Sequence, residues 1–141
     1  MKTSGLFLIL ALLLSASISK AQVRAHYINV GQADSILLEF RTAAILIDAG
    51  GEATGDDRDR DHLVSYLNKF FSDRAASASL PNLNRTLLAV IISHPHIDHT
   101  RNVMAVMQEF KVKNLIDGGN TRGSGINPLR DARAFMIANN I

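Results

Sequence analysis

TLLAVIISHPHIDHT, residues 86–100, runs an unbroken apolar stretch into a cluster of histidines. The stretch 86–93 has the length of a strand and carries no charge, which predicts a strand buried on both faces. Three of the chain's five histidines then fall within six residues, interleaved with Asp98. An H-x-H-x-D-H match arises by chance in roughly one of a few thousand chains of this composition. His94, His96 and Asp98 alternate, so in extended backbone their side chains face one way. Pro95 pushes His94 out of helical geometry. His99 breaks the alternation and joins the others only through a turn. A cluster of nitrogen and oxygen donors at the carboxyl end of a buried strand is a candidate metal cradle.

Upstream, residues 23–30 (VRAHYINV), 35–40 (SILLEF) and 43–48 (AAILID) read as three strands. The links between them, Gly31-Gln32-Ala33-Asp34 and Arg41-Thr42, are short, which implies an antiparallel meander. Residues 52–61 (EATGDDRDRD) read as a solvated loop, because Arg58 and Arg60 compete for its carboxylates and the spacing fits no calcium loop. Residues 62–74 place Leu63, Tyr66, Leu67, Phe70 and Phe71 at helical spacing, and residues 75–85 connect that helix to the apolar strand. Downstream lie an expected helix at 102–110, a short strand at 113–117, a Gly-rich loop at 118–127 and a helix at 129–140 with Pro128 in its first turn. His26 and His62 read as structural, and Asp117, before two glycines, as a turn former.

The amino terminus has a separate purpose. Lys2 precedes a nine-residue apolar run, Leu6 to Leu14, and Ser19-Lys20-Ala21 offers small residues at the positions a signal peptidase reads. That run is shorter than the ~20 residues that span a bilayer, so no membrane span is expected after cleavage. Residues 1–21 therefore read as a cleaved export signal, with a secreted or periplasmic destination. The remaining 120 residues carry 13 basic and 13 acidic side chains once Lys2 and Lys20 are removed. A neutral chain presents no electrostatic footprint for nucleic acid. It contains no cysteine, which excludes disulfides and thiolate metal ligands.

H-x-H-x-D-H between an apolar strand and a helix resembles the signature of the metallo-β-lactamase superfamily. INVGQADSILLE, residues 28–39, is similar to the opening of the group typified by the metal-hydrolase domain of competence protein ComEC, and ILIDAG resembles the superfamily's first aspartate motif. The resemblance implies an α/β (α+β) fold, the αββα sandwich, of which residues 22–141 cover about the first half. It assigns His94 and His96 to one zinc ion and Asp98 and His99 to a second. Asp48 and Asp34 become outer-shell residues, and Asp98 also orients the nucleophile. Two adjacent cations lower the pKa of a shared water and stabilise charge on a carbonyl or phosphoryl oxygen. The ComEC-like opening favours phosphoester or phosphodiester substrates.

The chain departs from the family pattern in two ways. Thr100-Arg101 stands where small residues usually follow the last motif histidine, and Arg101 reads as an exposed helix-start residue. The family completes its site with later histidines and a later bridging aspartate, whereas no histidine follows His99. Two functions are therefore carried forward: an exported zinc-dependent hydrolase, and a truncated or degenerate metal-binding protein without activity. The export reading predicts that amino-terminal sequencing of secreted or periplasmic protein will begin at Gln22. Cytoplasmic protein with Met1 intact would refute it.

Overall fold

The computed structural model describes residues 22–52 and 58–141. Residues 1–21, on which the export reading rests, and residues 53–57 of the acidic stretch lie outside the described residues. In chain order the elements are β1 (Arg24–Tyr27), β2 (Ile36–Glu39), β3 (Ala44–Ile47), α1 (Arg58–Ala76), β4 (Thr86–Leu87) and β5 (Ala89–Ile92). There follow α2 (Ile97–Thr100), α3 (Val103–Glu109), β6 (Lys111–Val112), β7 (Leu115–Asp117) and α4 (Ile126–Ala138). The mixed α/β class is the one the sequence implies.

Five strands form one sheet in the order β1-β2-β3-β5-β7. The first three pair antiparallel, Leu37 opposite Leu46, as the short links require. β5 and β7 then add in parallel, with Val90 between Leu46 and Leu115. Parallel neighbours need crossovers, which α1 supplies before β5, and α2 and α3 before β7. The ends of β3 and β5 consequently meet at one edge, and the histidine motif leaves the sheet there.

The expected strand at 86–93 is in fact two. Thr86 and Leu87 pair with β6 in a separate two-stranded sheet, while Ala89–Ile92 enters the main sheet. Leu88 sits at the changeover, 42 % exposed, with its amide bonded to the Ala44 carbonyl at 2.8 Å. Its own carbonyl accepts the Asn114 side-chain amide. The strand changes partners because its two parts find carbonyls and amides on different neighbours. Other boundaries also move. α1 begins at Arg58, inside the stretch expected to be loop, and the expected helix at 102–110 is preceded by a separate helical turn, α2, within the motif. The last helix starts at Ile126, three residues before its expected start, so Pro128 falls within its first turn.

The helices cover one face of the sheet. Leu37, Leu46, Val90 and Ile92 lie in a continuous core with Leu63, Leu67, Phe70 and Phe71 of α1, Val103, Val106 and Met107 of α3, and Leu129 and Met136 of α4. The opposite face carries Ile36, Leu38, Ile45, Ile47 and Ile91, all only half-buried. Tyr27 and Ile116 at its margins are 81 % and 51 % exposed.

A charged knot ties the meander to α1. Glu39 accepts Arg74 Nη1 on Oε1 at 2.7 Å, and Arg24 Nη1 and His26 Nε2 on Oε2, both at 3.1 Å. His26 Nδ1 lies 2.7 Å from the Tyr66 hydroxyl. Arg74 also donates from Nη2 to the carbonyls of Arg41 and Pro81. Burial alone would raise the Glu39 carboxyl, but hydrogen bonds from Arg74 and His26 and the nearby arginine charges hold it below its ordinary range. Burial, with the negative charge of Glu39, raises the Tyr66 hydroxyl. A carboxyl depressed on folding contributes stability that is present above its unfolded pKa and lost as pH falls through the folded value. Arg74→Met should therefore cost about 3–5 kcal/mol in urea unfolding at neutral pH, because it strands a buried carboxylate. Wild-type stability should fall steadily below about pH 4.3. Glu39→Gln should flatten that part of the profile, and an unchanged slope would exclude Glu39 as its source.

Candidate metal centre

β3 ends at Ile47, and the chain turns at Asp48 with φ 58°, a left-handed conformation that aspartate tolerates better than most residues. Its amide still pairs with the Ile91 carbonyl at 2.8 Å, so Asp48 is fixed against β5. Its side chain is buried and accepts three hydrogen bonds. Oδ1 takes the Ser93 amide at 2.8 Å; Oδ2 takes the Ser93 hydroxyl at 2.8 Å and His99 Nδ1 at 2.9 Å. One carboxylate thus holds both the strand exit and the helical turn of the motif. An ionised carboxylate only accepts, so the proton on His99 is assigned to Nδ1 and Nε2 is left free as a donor atom for a cation.

His99 Nε2 lies 3.6 Å from Asp98 Oδ2 and 3.7 Å from Asp34 Oδ2. His94 Nε2 approaches His96 Nδ1 at 3.1 Å, and the His94 ring lies 4.0 Å from that of His99, centroid to centroid. The structure therefore gathers all six residues singled out from the sequence. As the side chains stand, the donors meet in pairs. Among the described residues, no three His, Asp or Glu side chains are arranged to hold an ion.

The motif is stitched to both neighbouring loops through backbone. Asp34 N donates to the Asp98 carbonyl, Ala49 N to the His99 carbonyl and Asn102 N to the Ala49 carbonyl. Gly50 is required there, because a Cβ would stand 1.8 Å from the Asp98 carbonyl oxygen. Asn102, which the sequence reading passed over as the start of a helix, donates its side-chain amide to the Gly50 carbonyl at 2.8 Å. Arg101 is half-buried and donates Nε to the Gly51 carbonyl at 3.1 Å, so it braces the loop. The reading of Arg101 as an exposed residue is corrected accordingly.

Thr100 is fully buried, and its hydroxyl lies between the carbonyls of His96 and Gly125 at 2.9 and 3.0 Å. The small residue needed for close approach sits across from it. A Cβ on Gly125 would meet Thr100 Oγ1 at 2.0 Å. Gly125 N also bonds the Pro95 carbonyl, and Ser124 Oγ accepts the Ile97 amide. The Gly-rich loop is thereby a third support of the motif, with no signal in the sequence beyond its glycines.

The remaining candidates lie elsewhere. His26 belongs to the Glu39 knot, and His62 is exposed on α1. Asp117 ends β7 and is gripped by Arg133, whose hydrogen bonds hold its carboxyl below the usual range against its burial.

The role of Asp48 can be tested without metal. Asp48→Ala should cost about 1–3 kcal/mol, because the buried Nδ1 of His99 and the part-buried Ser93 amide lose their acceptor. Long-range nitrogen–proton NMR of the wild type should show His99 protonated on Nδ1 when neutral. Protonation on Nε2 would contradict this arrangement.

A family model described as the metallo-beta-lactamase superfamily matches residues 28–127, from the end of the first strand into α4. No curated protein matches the chain. The matched span contains the whole motif together with Asp34 and Asp48, and the chain belongs to the metallo-β-lactamase superfamily.

Proposed function

We propose that the chain is an exported, zinc-dependent hydrolase of phosphoester or phosphodiester bonds, related to the ComEC-like group. Superfamily membership suggests a metal-dependent hydrolase. The finer reading rests on the donors themselves. Imidazole nitrogen and carboxylate oxygen suit zinc, and two ligands held at about 2.0–2.1 Å from one tetrahedral ion lie roughly 3.4 Å apart. The His94–His96 contact of 3.1 Å and the His99–Asp98 contact of 3.6 Å bracket that separation. These pairwise separations support a reading with His94 and His96 on one ion and Asp98 and His99 on another, although as the side chains stand no third donor among the described residues completes either pair.

The observation that carries the reading is the Asp48–His99 hydrogen bond, since a carboxylate behind an imidazole is the usual support of a metal-bound histidine. Zinc, when bound, supplies a Lewis acid that makes water a nucleophile near neutral pH and neutralises charge on the attacked group. Asp98, its side chain about half exposed, can accept a proton from that water and orient it. Arg101 donates Nε to the Gly51 carbonyl, which fixes its guanidinium beside the loop that follows Asp48.

A second reading is a metal-binding protein without turnover. It is favoured by the meeting of donors in pairs, with no three of them arranged around one ion among the described residues. Zinc loading followed by elemental analysis tests the shared premise. His94→Ala/His96→Ala should remove about one of two bound ions, and unchanged metal content would rule out the assignment. Chelator-sensitive cleavage of a chromogenic phosphodiester, lowered by orders of magnitude in Asp98→Asn, would favour the hydrolase. Metal uptake with no turnover would favour the second reading.

A further inference from the structure

The geometry points to Asp34 as a direct metal ligand, the third donor of the ion placed between His99 and Asp98. This rests on the metal-binding reading and deepens it. The main chain of Asp34 is clamped from both sides: its amide donates to the Asp98 carbonyl at 3.1 Å, and its carbonyl accepts Gly50 N at 3.0 Å. A Cβ on Gly50 would lie 2.7 Å from that carbonyl, so the approach depends on glycine. The side chain, by contrast, is 66 % exposed. A turn aspartate ordinarily folds its carboxylate back onto nearby backbone amides. Among the described residues, no hydrogen bond is made to the Asp34 carboxylate. Its nearest side-chain partner among the described residues is His99, with Oδ2 3.7 Å from Nε2.

His99 Nε2 therefore faces two carboxylate oxygens at nearly equal distance, Asp98 at 3.6 Å and Asp34 at 3.7 Å. Two carboxylates beside one imidazole nitrogen repel each other unless a cation lies among them. Both separations exceed by only a few tenths of an ångström the roughly 3.4 Å expected between two ligands of one tetrahedral ion. The Asp98 and Asp34 side chains are 48 % and 66 % exposed, which leaves them room to turn toward an ion at the buried His99. The three donors then come from the turn before β2 and the turn of α2, joined by the Asp34–Asp98 backbone bond.

Cobalt(II) titration of the full chain, followed by its visible d–d absorption, tests the assignment. In the His94→Ala/His96→Ala background one cobalt should remain. Adding Asp34→Ala should weaken that binding at least tenfold and change the band shape. Asp34→Asn, which keeps the size and one oxygen, should fall between. The far-ultraviolet circular dichroism and melting temperature of the metal-free variants should match the parent, since the exposed carboxylate supports nothing else. Cobalt affinity and spectrum unchanged by Asp34→Ala would overturn the inference and leave the metal reading intact. A wild-type chain that takes up no cobalt would overturn both.

Discussion

The arrangement of the site depends on one buried carboxylate. Asp48 lies where β3 stops, and its three accepted hydrogen bonds reach the last residue before the motif and the last histidine within it. Without that acceptor, the strand exit at Ser93 would lose its tie to β3, and the His99 ring could turn about its own bonds. A left-handed backbone at Asp48 aims the carboxylate across to β5. The parallel register of β3 and β5 then brings the two strand ends to the same level. Sheet topology and ligand orientation are thus two aspects of one constraint.

A second carboxylate does comparable work away from the motif. Glu39 is also buried, but it is surrounded by Arg74, Arg24 and His26, so its charge is neutralised by the protein itself. The motif carboxylates differ. Asp98 and Asp34 are exposed at 48 % and 66 % of their side chains and have no arginine or lysine partner among the described residues. One negative group is spent on cohesion, whereas the others remain available to an external cation. That contrast separates structural from functional charge more sharply than burial alone.

Much of this was legible in the chain. Strand-like runs joined by short links gave the antiparallel meander, because so short a connection can only return the chain alongside itself. The histidine spacing located the candidate site, since few structural needs would concentrate three imidazoles and a carboxylate. The split at Leu88 was not legible, as both halves of the run are equally apolar and only their hydrogen-bonding partners differ. The helical turn at Ile97–Thr100 was hidden by the alternation of His94, His96 and Asp98, which suits extended backbone through Pro95 but not beyond. The supports supplied by Thr100, Asn102, Gly50 and Gly125 act across long separations and mostly through carbonyl groups. A carbonyl is common to every residue, so no residue type marks it.

The sheet face turned away from the helices has a consequence for how the described chain behaves in water. From Tyr27 through Ile36, Leu38, Ile45, Ile47 and Ile91 to Ile116, its strand positions carry no charged side chain. Natural sheets discourage unwanted association with charges on exposed strands, and this face has none of that protection. Contacts made through it are apolar, so dilute salt would neither weaken them by screening nor strengthen them. Strongly hydrated anions such as sulfate would promote them, and urea would loosen them. Association through this face is therefore governed by its hydrocarbon surface and the solvent's cohesion more than by the chain's small net charge.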